Sequence, residues 1–365
     1  MAAGMDLIFA KRLDSSIEVV LVGGIVFLWI VAPIIDIWAP IYCVFMAAME
    51  RTPLSSVYLC TPFWWPFPLY LAWMWWDWDS PKRGARPFTF LRDNIGWEWL
   101  ADYFPLRLVK TAELPPDRNY IVGSHPHGQY HFGGLATFLT EATGFSRLFP
   151  GITANLLTLE GQFWFPVRRE FGLVVGGCDS SKSSLRWLLR NPGKARRPPP
   201  PGPLTVKGRA IGIVLGGLSE SIMARPGRHD LKLKNRRGFC RFALQAGADL
   251  VPLYHFGEND LYDQELGFDE QRLKNMQARL RNIIGFCPPF PWGRSVLNFP
   301  WGGILPFRSS VTSVMGAPIR VEQADHPTDE EIDILHSKYC SELHSLFENH
   351  KHLHNIPEHV HINFY

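Results

Sequence analysis

Three short apolar runs, each closing on glycines, constrain the fold of this chain more than any other feature. They read "RNYIVGS" around Tyr120, "RAIGIVLGG" from Arg209 to Gly217, and "ADLVPLYHFGEND" from Ala248 to Asp260. Apolar runs of this length bounded by turn residues predict buried strands. Between the second and third lies "RRGFCRFALQAGA", where Phe239, Phe242, Ala243 and Ala246 recur at helical spacing and Gly247 is a stop signal. Strand, helix, strand calls for a crossover, which pairs strands in parallel. The expected fold class is α/β, a mixed, largely parallel sheet with flanking helices. Ligands collect at the carboxyl ends of such strands, so the three glycine-rich ends should lie together. "HPTDEEIDILHSKYCSELHSLFENHK" adds a further helix. Thr328 and Glu331 form its capping box, and Ile332, Leu335, Tyr339, Leu343 and Leu346 make its apolar face.

The first quarter of the chain has another character. Ile17 to Ile35 is apolar apart from Glu18, and about 20 such residues cross a bilayer core. The run continues past Asp36 and Pro40, and a second follows from Pro53 to Trp76, crowded with Trp and Tyr like an interfacial belt. The stretch is too long for a cleaved signal peptide and shows no clean cleavage site. Lys11 and Arg12 precede the pair, and Lys82, Arg83 and Arg86 follow it. If both flanks are cytoplasmic, the pair is a hairpin or a re-entrant wedge, and its prolines argue against straight helices. A buried helical hairpin of a soluble protein is the alternative. The expected organisation is a cytosolic tail (1–16), a membrane-embedded helical hairpin (17–78) and a cytosol-facing α/β domain (84–365). A mean hydropathy of −0.05 is too polar for a polytopic transporter. A net charge of +3 gives no support to nucleic-acid binding. The six cysteines are scattered without a C-x-x-C pair, which suggests reduced thiols. "KARRPPPPGP" (194–203) reads as an exposed loop.

The stretch "NYIVGSHPHGQYHFGG" sets His125 and His127 around Pro126 at a predicted strand end. Acyl transfer to an alcohol needs a base for the hydroxyl proton, donors for the oxyanion and a good leaving group. A neutral histidine suits the first task. Backbone N–H groups of a glycine-rich turn suit the second, and a thiol suits the third. Pro126 stiffens the loop, and Gly128 lets the backbone come close. A carboxylate that fixes the tautomer strengthens such a base. Glu220 in "GGLSES" is the best placed, ahead of Glu160 and Glu258. Two other readings stay open. The histidines, with His131, could hold a metal, although the tail "HKHLHNIPEHVH" has no Cys or acid at ligand spacing. They could also be ordinary hydrogen-bonding residues. Ser124 lacks the G-x-S-x-G elbow of a nucleophile.

These residues resemble the type-2 diacylglycerol acyltransferase family, which also holds monoacylglycerol acyltransferases and some wax synthases. The resemblance covers nearly the whole chain. "DYFPLRLVKT" (Asp102 to Thr111) carries the Tyr-Phe-Pro box, and "HPHG" (His125 to Gly128) is the family signature. "RRGFCRFALQAGADLVPLYHFGEND" (Arg236 to Asp260) matches the distinctive long motif, and the segment from Gly316 to Lys351 matches the C-terminal block.

The resemblance implies an enzyme of the endoplasmic-reticulum membrane that esterifies diacylglycerol with acyl-CoA as co-substrate. It implies no cofactor or metal, cytosolic termini, lipid droplets as a second location, and an oligomeric state left open. The wider glycerolipid acyltransferases carry His and Asp separated by four residues. Here Tyr130 and Phe132 stand where those acids would be, so the acid must come from elsewhere, which favours Glu220. Some relatives keep only the second histidine, which points to His127 as base and His125 as support. Attack on the thioester is then direct, with N–H groups near Gly128 holding the oxyanion. Lys232, Lys234, Arg236 and Arg237 precede a predicted helix start and suit the phosphates of CoA, with Arg294 as a further candidate. A solvated charged face or anionic-lipid contact is the bland alternative for these cations. Rival functions are a monoacylglycerol or wax-alcohol acyltransferase, a metal-dependent hydrolase, and a lipid-droplet scaffold without activity.

Overall fold

The structure is a computed structural model that describes residues 23–26, 66–191, 208–263, 275, 279, 292–295, 303 and 305–365. Most of the expected hairpin (17–22 and 27–65) and the Pro-rich loop at 194–203 lie outside the described residues. No helix among the described residues is long and apolar enough to cross a membrane. The chain divides into two compact units, one of residues 1–88 and 158–187, the other of 89–157 and 188–365.

In the first unit, a helix at Pro66–Trp76 and another at Pro166–Val175 are tied by polar contacts. The Tyr70 hydroxyl donates to the Pro166 carbonyl at 2.9 Å. Arg169 is 1% exposed, and its guanidinium meets the Asp77 carboxylate at 2.7 Å. Arg86 reaches Asp77 at 2.8 Å and Glu170 at 2.7 Å. Buried charge is tolerated only when paired in this way. The same unit exposes large aromatics, with Trp75 at 81% and Trp76 at 74%.

The strands among the described residues are, in chain order, β1 (Arg107–Lys110), β2 (Tyr120–His125), β3 (Thr153–Thr158), β4 (Gly177–Asp179), β5 (Arg209–Val214), β6 (Asp230–Leu231), β7 (Asp249–Phe256), β8 (Thr312–Met315) and β9 (Asn363–Phe364). β4 belongs to the first unit. In the second unit the sheet runs β1-β8-β7-β2-β5-β3. β2 pairs in parallel with both β5 and β7, β3 pairs in parallel with β5, and β1 with β8. Only the β7–β8 pairing of this unit's sheet is antiparallel, so the sheet is mixed and largely parallel, as expected. β2 and β7 are buried at every residue, which is why they read as unbroken apolar runs rather than alternating ones.

Two helices flank this sheet where the sequence predicts them. α1 (Gly238–Ala246) buries Phe239, Cys240 and Ala243 and ends at Gly247, whose φ of +60° closes the helix in the left-handed region. α2 (Asp329–His350) begins at the capping box of Thr328 with Glu331 and buries Leu335, Tyr339, Leu343 and Phe347, with Phe347 against Tyr254 and Phe256 of β7 and Tyr339 against Gly123 and His125 of β2. Because β2, β5 and β7 are mutually parallel, their carboxyl ends meet at one edge. The loops that follow carry His127, Glu220 and Glu258.

Candidate active site

His127 stands in the turn after β2, half-buried. Its Nδ1 lies 3.0 Å from the Gly128 carbonyl oxygen. A carbonyl can only accept, so Nδ1 carries the proton and Nε2 carries the lone pair. Among the described residues no protein group bonds that Nε2. Burial lowers the His127 pKa, with the ring's backbone contacts opposing weakly. The imidazole is therefore neutral at neutral pH and holds a free base nitrogen.

His125 has a different place. It is fully buried at the end of β2, and its Nε2 lies 3.1 Å from the Tyr339 hydroxyl. That hydroxyl donates to the Gly123 carbonyl at 3.2 Å, so it accepts from His125 Nε2–H. Nδ1 is left buried without a partner. Burial pushes the His125 pKa down to about 3. His125 thus ties the strand end to α2 through Tyr339.

Glu220 sits beside His127 but does not touch its ring, which corrects the expectation that it orients the imidazole. Its Oε2 accepts from the main-chain N–H of His127 at 3.2 Å, and its Oε1 is buried without a hydrogen-bond partner. The reason is steric. The carboxylate lies against Gly216, where a Cβ would overlap it, and from there it reaches the loop's backbone. Burial raises the Glu220 pKa to about 7. Glu258 grips the same loop further on. Its two oxygens accept from Phe132 N–H at 2.7 Å and Gly133 N–H at 2.8 Å, and burial raises its pKa to about 7. Gly128, at φ +58°, packs so closely on Glu258 that a Cβ would stand 2.6 Å from its side chain. Gly128 is buried, and among the described residues its N–H makes no hydrogen bond.

Sequence reading missed a buried polar chain behind this loop. His131 Nδ1 lies 3.3 Å from the His127 carbonyl oxygen, and its Nε2 lies 2.9 Å from Ser124 Oγ. Ser124 Oγ lies 2.6 Å from His255 Nε2, and His255 Nδ1 lies 2.7 Å from Ser313 Oγ. Burial, then neighbouring histidines, hold His131 well below its ordinary pKa, and burial takes His255 down to about 3. The signals were present. A histidine inside the wholly apolar "LVPLYHF" must find partners once buried. The doublet in "HFGG" is needed because a Cβ at Gly133 or Gly134 would overlap the rings of His255 and His131. Ser124 is fully buried and bonded on both sides, so it is no nucleophile.

The expected CoA-binding cations separate. Lys234, Arg236 and Arg237 are exposed on the segment leading into α1. Arg237 is ion-paired with Asp333 at 2.6 Å. Arg294 lies elsewhere and donates to the Tyr103 hydroxyl at 2.9 Å, with the Arg308 guanidinium 4.6 Å from the same ring. His344, Glu348 and His361 gather near the C-terminus close enough for one cation. The Lys351 ammonium already lies 2.7 Å from Glu348 and 3.4 Å from His361, so a dication there would face a fixed positive charge.

A family model described as "Diacylglycerol acyltransferase" matches residues 56–365. Human 2-acylglycerol O-acyltransferase 3 is 42% identical over 80% of this chain and 82% of that protein. Diacylglycerol O-acyltransferase 2 of Danio rerio is 42% identical over 80% and 77%. Human diacylglycerol O-acyltransferase 2-like protein 6 is 39% identical over 88% and 92%.

Proposed function

This chain belongs to the diacylglycerol acyltransferase family, and on that premise we propose that it moves an acyl group from acyl-CoA to the free hydroxyl of diacylglycerol, with His127 as general base. The observation that carries this reading is the His127 tautomer, protonated at Nδ1 toward Gly128 and bare at Nε2. Nε2 takes the hydroxyl proton while the alcohol oxygen bonds to the thioester carbonyl carbon. The oxyanion that forms is received by the Gly128 N–H. The C–S bond then breaks, and the departing CoA sulfur takes the proton from His127 Nε2. No acyl-enzyme is needed.

Lys234 and Arg236 are the cations offered to the CoA phosphates. Exposed Trp75 and Trp76 suit a membrane interface, which would let a water-insoluble acceptor arrive by lateral diffusion. The basic flanks of the apolar pair favour a cytosolic orientation, and the family resemblance points to the endoplasmic-reticulum membrane.

The test gives the purified protein labelled acyl-CoA with diacylglycerol, 2-monoacylglycerol or fatty alcohol, and resolves the products. A folded His127→Ala enzyme should lose roughly 10²–10⁴-fold in turnover, and near-native turnover overturns the assignment of the base. The monoacylglycerol acceptor is the second reading, favoured by the relative named 2-acylglycerol O-acyltransferase 3. The acceptor with the higher kcat/KM decides between them.

A further inference from the structure

The buried chain behind the catalytic loop has a fixed direction. The His127 carbonyl can only accept, so His131 Nδ1 must be the protonated nitrogen at the 3.3 Å contact. His131 Nε2 is then bare and accepts from the Ser124 hydroxyl at 2.9 Å. Having given its proton that way, Ser124 Oγ accepts from His255 Nε2–H at 2.6 Å. His255 Nδ1 is left to accept from the Ser313 hydroxyl at 2.7 Å. Every hydrogen bond points the same way, from Ser313 on β8, through β7 and β2, to the main chain of the loop. All four residues are at most 5% exposed. His131 holds its place in the left-handed region at φ +59°, which costs a non-glycine residue about 1–2 kcal/mol. A buried network of this kind stabilises a unique arrangement only when fully satisfied, and this one is.

The chain ends on a particular peptide group. The His127 carbonyl and the Gly128 N–H belong to one planar trans unit and point in opposite directions. A donor held on the oxygen therefore fixes where the N–H points. It also draws electron density toward the oxygen and makes the N–H a stronger donor. We propose that Ser313, His255, Ser124 and His131 are positioning residues that lock and polarise the His127–Gly128 peptide, so that the Gly128 N–H is aimed at the oxyanion. This rests on the reading of His127 as base and of Gly128 as oxyanion donor. It assigns a purpose to the glycine doublet as well, since Gly133 and Gly134 make room for the two rings.

The experiment uses the full chain in detergent or vesicles, with steady-state kinetics across pH. Ser124→Ala cuts the chain without touching the loop's backbone. The expected result is a kcat lowered about 10- to 100-fold, short of the 10²–10³ for losing an oxyanion donor outright. KM for acyl-CoA should stay near the wild-type value, and the acid limb of kcat/KM should not move. His131→Asn and His131→Gly both tolerate the left-handed backbone, but only the asparagine amide can still donate to the His127 carbonyl. His131→Asn should therefore keep more activity than His131→Gly at matched folding. Wild-type kcat in Ser124→Ala overturns the proposal. Equal impairment of the two His131 variants overturns it too, because it makes the ring merely structural. A shifted acid limb also overturns it, by placing the effect on the base. Failure of the base assignment is distinct: it shows as retained turnover in His127→Ala, whatever the chain variants do.

Discussion

Glu220 holds the main-chain N–H of His127 at 3.2 Å and leaves the imidazole of the same residue to the Gly128 carbonyl. A carboxylate acting on a catalytic ring fixes its tautomer and stabilises the imidazolium, and replacing it by an amide costs about 10⁴ in kcat. Here the tautomer is fixed by main chain, so that loss is not expected. Glu220→Gln keeps an oxygen for the N–H and should lower kcat less than about tenfold. Glu220→Ala leaves the main-chain N–H of His127 unpaired, at about 1–3 kcal/mol, and should lower both the melting temperature and kcat. Thermal melts and kinetics on the two variants separate main-chain support from ring orientation.

Tyr339 and His125 form the second brace of the loop. The Tyr339 hydroxyl serves Gly123 and His125 together, and its burial leaves no water to replace it. Tyr339→Phe should destabilise the protein by about 1–3 kcal/mol, read by thermal or denaturant melts. Gly123→Ala should do worse, because its Cβ would overlap the Tyr339 ring. His125→Ala should show the same destabilisation with a smaller kcat loss than His127→Ala, since His125 is fully buried and bonds Tyr339.

The pH dependence has two parts with signs that can be worked out. For activity, His127 must be unprotonated. Its pKa is lowered by burial, so activity should be lost only as pH falls below the 6.5 of an ordinary histidine. A kcat/KM profile with its acid limb above pH 6.5 contradicts this. For stability, His125 and His255 lie at about 3 and His127 and His131 are also lowered. The unfolded chain therefore binds more protons at these sites below 6.5, and stability falls with pH. Glu220 and Glu258, raised to about 7 from 4.5, act oppositely. Their folded forms keep protons that the unfolded chain releases, so they weaken the fold as pH rises from 4.5 to 7. Four histidines outweigh two glutamates between pH 6.5 and 4.5. Each net proton is worth about 1.4 kcal/mol per pH unit. Melting temperature should drop through that window, and His255→Phe should flatten the drop.

Much of this was legible in the residues. The runs at β2, β5 and β7 read as strands because burial on both faces removes polar alternation. α1 and the capping box of α2 are legible because helical spacing and caps are local signals. Parallel pairing brings the three strand ends to one edge, and with them the loops that carry His127, Glu220 and Glu258. What the sequence hides is contact between distant side chains. His255 lies 131 residues from Ser124, and Ser313 lies 58 residues from His255. No spacing rule joins them, because the register of β7 against β2 and β8 sets the contacts. The reach of Glu220 was hidden for a similar reason, since the space at Gly216 decides which atom of His127 it meets.

The cations ahead of α1 make the last prediction. Lys234 and Arg236 are exposed, whereas Arg237 is paired with Asp333 and Arg241 with Asp329, both on α2. A phosphate-bearing substrate should be drawn mainly by the cations whose charge is not already countered. Charge reversal of Lys234 and Arg236 together should raise KM for acyl-CoA several-fold with little change in kcat or in KM for the lipid acceptor. The effect should shrink as salt approaches 1 M, where the screening length falls to about 3 Å. Arg237→Glu should have a weaker effect on KM, plus the small stability cost of losing an exposed ion pair, about 0–1 kcal/mol. Equal rises in KM for both substrates, or no salt dependence, would assign these cations to the anionic membrane surface rather than to CoA.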